Sequence, residues 1–217
     1  MSKLSKGHFW DWFRRHSQEY LILKNKSKKE TAYWLNELNA HLRAYFKFFG
    51  FSIEWQQEGT AILTITVNGK AMHFKKVEDF VVRAPEIPGW TIVALQDPRP
   101  VDFLLEQQIQ NTGIDPRELC FSFTSDDPHY ATLIVYHPLC TPENEHLIYQ
   151  IAHTSVYNLL GERSFGMDIG RLHVANLSYA DPDDVEELEA LPACIGLRKS
   201  AMVVDSKGSL VSMNAVR

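Results

Sequence analysis

The 217-residue chain is 45% hydrophobic and 23% charged, with 12 Phe, 8 Tyr and 5 Trp, which supports a packed core and excludes wholesale disorder. Its net charge of −5 is uneven: residues 1–50 hold ten Lys/Arg against four Asp/Glu, and residues 101–150 hold one Arg against eight acids. Cys120, Cys140 and Cys194 are too widely spaced for a disulfide framework or a CxxC zinc site.

The N-terminus lacks a secretory h-region, and no apolar run approaches the ~20 residues that span a bilayer, so a soluble, cytoplasmic protein with no membrane association is expected. The charge asymmetry suits docking of the basic helical end on the acidic remainder or on an acidic partner.

In chain order, Phe9, Phe13, His16, Tyr20 and Leu23 recur at helical spacing, and Asn25-Lys26 interrupts them. SKKE at 27–30 is a capping box. It opens a second helix with the stripe Thr31, Leu35, Leu38, Leu42, Tyr45 and Phe49, which Gly50 stops, so the pair forms an N-terminal helical hairpin.

From Phe51 the period becomes two. FSIEWQQ, TAILTITV and KAMHF read as an antiparallel meander, with Asn68-Gly69 as a hairpin turn in which both residues take positive φ. A short helix follows with Val77, Phe80, Val81 and Ala84 on one side, ended by Pro85. WTIVALQ then reads as a buried strand entered through a buried, structural Trp90. Both strand and helix patterns fit 101–113.

LCFSFT and YATLIVYH form a hairpin, and SFGMDIGRLHVANL alternates as one long or two short strands. DPDDVEELEALP reads as an acidic, solvated helix or loop. Residues 201–217 form a hairpin around DSKG or a loose tail. Meander–helix–strand at 51–95 and hairpin–helix–strand at 119–177 repeat a pattern without residue identity.

HPLCTPENEHLIYQIAH at 137–153 has the composition of a metal site. Thr141 before Pro142 instead reads as a helix N-cap, with the helix ending at Leu160 before Gly161. Glu143 and Glu145 suit its first turn. His146 and His153 then point outward with Gln150 and Tyr157, ~10 Å apart along the axis, too far to share one ion. No metal is expected; the alternative site is His137, Cys140 and His146 with the loop folded back.

Phosphate-loop, dinucleotide, zinc-protease and nucleophile-elbow motifs are absent, so no cofactor is expected. Arg14, Arg15, Lys24, Lys26, Lys28 and Lys29, near Trp10 and Trp12, offer a nucleic-acid surface on the N-terminal helices, opposed by the acidic whole chain.

FWDWF near the start and VEDFVVRAPEIPGWTIVAL at 77–95 resemble a family of uncharacterised bacterial proteins that share an FW-WF helix and an AP–IPGW joint. That resemblance implies a compact α+β intracellular protein without an established activity, and it transfers no catalytic residue.

The expected fold class is α+β: an antiparallel sheet of meander plus hairpin with helices on one face. Residues 1–200 form one compact domain, with possible lobes 1–100 and 101–200. The expected function is a non-catalytic binding or protein-interaction protein, with a protein partner or self-association favoured over nucleic acid. The alternative is a small hydrolase-like enzyme using some of Asp126, Asp127, His129, His137 and His173.

Overall fold

The computed structural model describes residues 8–57, 59–124, 130–200, 202–204 and 210–212. The chain divides into two compact units, residues 1–96 and 97–217. Unit 1 holds 14 Lys/Arg against 9 Asp/Glu, net +5; unit 2 holds 8 against 18, net −10.

In unit 1, α1 (Phe9–Leu21) and α2 (Lys28–Tyr45) pack against each other across a 3-10 turn at Leu23–Asn25. The capping box is complete: the Ser27 hydroxyl accepts the Glu30 N–H at 3.3 Å, and the Glu30 carboxylate accepts the Ser27 N–H at 3.1 Å. α2 ends at Tyr45, earlier than its apolar stripe suggests. Phe46 turns extended, Phe49 closes a turn onto the Phe46 carbonyl, and Gly50 begins a strand.

β1 (Gly50–Trp55) pairs antiparallel with β2 (Ala61–Thr66), which pairs parallel with β3 (Trp90–Ala94). The expected third meander strand is absent. Asn68 and Gly69 do take φ of 52° and 75°, but KAMHF enters a 3-10 turn at Ala71–His73 and then α3 (Phe74–Val81). The reason is the helical spacing of Phe74, Val77 and Phe80, all buried, which overrides five residues of alternation. Because α3 carries the chain back across the sheet, β3 runs parallel to β2, and the sheet is mixed.

Leu63 and Ile65 of β2 face a core built with Phe9, Phe13, Tyr20, Leu38, Leu42, Phe49 and Phe80, so the three helices share one sheet face. The aromatics of FWDWF belong to this core: Phe9 and Phe13 are buried, and the Trp10 indole N–H donates to the Phe80 carbonyl at 3.2 Å. β3 is an edge strand, with Thr91 exposed and the rest half-buried, so it is not covered on both faces as its apolar run predicts.

Unit 2 opens with a 3-10 turn at Val101–Leu104 and α4 (Leu105–Thr112). β4 (Cys120–Phe123) pairs antiparallel with β5 (Ala131–His137), and β5 pairs parallel with β6 (Ile169–Asn176). α5 (Glu145–Asp168) makes the crossover. This sheet is also mixed, because a hairpin followed by a strand–helix–strand link yields one antiparallel and one parallel pair.

α5 packs Ile148, Ile151, Ala152, Val156 and Leu159 on Phe121, Leu133 and Val135. It breaks at Gly161, which has φ 69° and ψ 163°, a region nearly exclusive to glycine. A Cβ there would lie 2.7 Å from the Pro98 ring. Residues 162–168 remain helical, so the alternating segment after Gly161 becomes a strand only at Ile169.

The acidic stretch begins as the exposed-loop alternative, through residues 181–184, and then anchors itself. β7 (Glu186–Glu187) adds to β4, a 3-10 turn spans Leu188–Ala190, and α6 (Leu191–Ser200) follows, with Leu188 and Leu191 buried as anchors. β8 (Met202–Val204) and β9 (Leu210–Ser212) pair antiparallel, as in the hairpin alternative for the C-terminal stretch; its DSKG turn lies outside the described residues.

Candidate binding sites

The segment 137–144 leaves the carboxyl end of β5, where chains of this topology commonly place ligands. His137 is 0% exposed. Its Nδ1 accepts the Leu139 N–H at 3.1 Å, which leaves the proton of the neutral ring on Nε2. The Glu118 carboxylate stands 3.4 Å from Nε2, within charge-pair reach but without a well-aligned hydrogen bond. Burial pushes the imidazole below the ordinary histidine value, and Glu118 opposes that shift.

The helix begins three residues later than Thr141-Pro142 suggests. Asn144 is the N-cap residue, yet its side chain turns back, accepting the Thr141 N–H and donating to the Leu139 carbonyl, both at 2.8 Å. The Thr141 hydroxyl hydrogen-bonds Glu143 and holds that carboxyl below its usual range. Asn176, at the end of β6, donates to the Pro138 and Cys140 carbonyls at 2.8 Å each. Two asparagines therefore fix the loop.

Cys140 is buried, and its thiol is pushed up by burial and by the nearby Glu145 carboxylate, so it is poorly suited to act as a thiolate. His146 is exposed on α5 with a ring nitrogen 3.0 Å from the Gln150 amide nitrogen. Among the described residues no group of three or more His, Cys, Asp or Glu could hold a metal ion, and His137, Cys140 and His146 do not form one.

His153 is not outward as predicted. The break at Gly161 folds residues 162–168 so that Phe165 covers both His153 (ring centroids 5.0 Å) and Tyr157 (5.3 Å), and burial lowers the His153 pKa. His173 is exposed on β6 in register with Ile134, whereas His137 is in register with Asn176. Three positions along a strand reverse the side-chain direction, so these two histidines occupy opposite faces of the sheet. Asp126, Asp127 and His129 lie outside the described residues.

No family model, curated protein or solved structure matches the chain. No helix among the described residues is long and apolar enough to cross a membrane.

Beside the fixed loop lies a groove of about 460 Å³ lined by Cys140, Thr141, Pro142, Glu145, Val174, Ala175, Asn176, Ser178 and Tyr179. Tyr179 is 83% exposed, and Leu139, in the same loop, is 59% exposed. Neither was singled out from sequence: LSYAD and HPLC carry no motif, and only the fold exposes both residues.

In unit 1 a second pocket of about 560 Å³ is lined by the amides of Gln18, Asn25, Gln56 and Gln57, with Lys24, Trp55 and Gly89. Trp90 borders the adjoining hollow, only partly exposed, with its ring steeply tilted to that of Phe13 at 5.0 Å between centres and its buried indole N–H unpaired. Most of the basic residues at the N-terminal corner are engaged locally: Arg14 and Arg15 with Asp11, Lys26 with Glu19, and Lys24 over the Trp55 ring.

Proposed function

We propose that the chain is a non-catalytic protein-interaction protein and that the unit 2 groove receives an extended segment of its partner. The observation that carries this reading is the exposure of Tyr179 at a preshaped groove of mixed apolar and polar lining, and of Leu139 in the loop beside it. A tyrosine ring at a groove rim offers large contact area at low entropic cost. The loop is held by side-chain hydrogen bonds before any partner arrives, which lowers the ordering cost of association.

Unit 2 carries a net charge of −10, and Glu145 lines the groove, so the fitting segment is apolar with flanking Lys or Arg. Intracellular placement, and kinship with the family that shares the FW-WF helix and the AP–IPGW joint, belong to the same proposal. Selection of peptides from a random library against the intact protein tests it. Binders should combine apolar and basic residues and lose at least tenfold in affinity on Tyr179→Ser with Leu139→Ser. Binders indifferent to both substitutions would move the interaction elsewhere.

A further inference from the structure

Three segments of unit 1 bring lysines to one pair of rings. The Lys47 and Lys70 ammonium groups lie 4.8 and 4.6 Å from the Phe48 ring centre, and that of Lys76 lies 4.7 Å from the Phe46 ring centre. The two rings are 5.4 Å apart, edge to face, and His73 stacks on Phe48 at 4.8 Å. Met72, in the same turn as His73, is 84% exposed.

Among the described residues none of these three lysines has a carboxylate partner, although the adjacent Lys75 pairs with Asp79. Gathering like charges without counter-charges is unfavourable, and attraction to the ring faces offsets it only in part. An anion arriving there gains from all three amines at once.

We propose that this face of unit 1 binds single-stranded nucleic acid without sequence preference. Lysines are point charges suited to phosphate, and no arginine fork is present among them to read a base edge. As the amines move to phosphates they free the accessible faces of the half-buried Phe46 and Phe48 rings as platforms for bases, with His73 stacked against Phe48 as support. A carboxylate-rich peptide would satisfy the lysines but has no flat group for the rings. The charge of the whole chain hides this surface, because unit 1 is itself +5. The proposal rests on unit 1 alone and is independent of the groove.

Fluorescence anisotropy of labelled oligo-dT and oligo-U of about 20 nucleotides against the full chain tests it, at about 50 mM salt and upward. Micromolar affinity falling steeply with salt is expected. Lys47→Gln, Lys70→Gln and Lys76→Gln together should weaken binding at least tenfold and make the log–log salt slope shallower by about two. Lys28→Gln with Lys29→Gln, at the α1–α2 corner, should change it less than twofold.

Photocrosslinking of an iodouridine oligonucleotide to the unmodified protein gives a second readout, expected on peptides spanning 46–48 or 70–76. The proposal is overturned if the oligonucleotides do not bind, if the triple variant binds as well as the wild type, or if the crosslinks map elsewhere. It is equally overturned if phosphatidylserine vesicles bind where the oligonucleotides do not, or if polyglutamate competes as well as oligo-dT at equal charge.

Discussion

Unit 1 covers its three-stranded sheet with three helices and a cluster of rings, whereas unit 2 covers strands of the same order with one long broken helix, the shorter α6 and mostly aliphatic side chains. Both run strand, antiparallel strand, helix, parallel strand. The connecting helices differ: α3 has 8 residues and α5 has 24. At ~1.5 Å per residue, α3 is too short to cover a strand of five or six residues, and α1, α2 and bulky rings fill the remainder. The straight part of α5 is long enough that Ile, Val, Leu and Ala suffice. A shared connectivity thus admits two kinds of core, and helix length decides which one a sequence must supply.

Phe80 sits at the centre of the unit 1 ring cluster. Its ring centre lies 4.5 Å from Tyr45, 4.7 Å from Trp10, 5.0 Å from Phe49 and 5.2 Å from Phe9. Phe80→Ala should cost about 3–5 kcal/mol, read as a lower denaturant midpoint. Amide hydrogen exchange should accelerate across unit 1; exchange quickened equally in both units would show that the ring cluster is not a local core.

Gly161→Ala is the corresponding change in unit 2. A Cβ at φ 69°, ψ 163° is strained, and it would press on Pro98, for a combined cost of about 3 kcal/mol. Phe165 should leave His153 and Tyr157, which NMR ring-current shifts would detect. An unchanged midpoint would mean that α5 can straighten without loss.

A smaller effect is the response to pH, to which His41 of unit 1 also contributes because burial lowers its pKa. His137 and His153 both have pKa values lowered by burial from 6.5, so below about pH 6.5 the unfolded chain takes up protons that the folded chain refuses. The stability held above that value is lost as pH falls toward the folded pKa. His137→Gln, which keeps an acceptor for the Leu139 N–H, should flatten the fall in unfolding free energy between about pH 6.5 and 5. Equal slopes in the two proteins would assign the response to other groups.

Much of this architecture was legible because it depends on near neighbours. The Phe9–Phe13–Tyr20 spacing, the Ser27–Glu30 box, the positive φ at Asn68-Gly69 and the break at Gly161 each involve residues a few positions apart. Parallel pairing was hidden, since alternation shows that a strand exists and not which way its neighbour runs; the strand–helix–strand order was the available signal. The helix start moved from Thr141 to Asn144 because Asn144 also holds Leu139, a contact made only in the folded loop. The Lys47, Lys70 and Lys76 cluster was invisible as spacing, although GKAMHFKK carries two of its three lysines; the basic-to-acidic asymmetry was legible along the chain, but not which lysines the fold gathers.

The ring cluster of unit 1 also has a spectroscopic consequence. All five tryptophans, Trp10, Trp12, Trp34, Trp55 and Trp90, lie within residues 1–96, and unit 2 has none. Indole emission is therefore a built-in optical label for one unit. An unfolding curve followed by tryptophan fluorescence describes unit 1, while far-ultraviolet circular dichroism sums both units. Overlaid, the two curves yield the unfolding of unit 2 by difference, with no dye, tag or truncation.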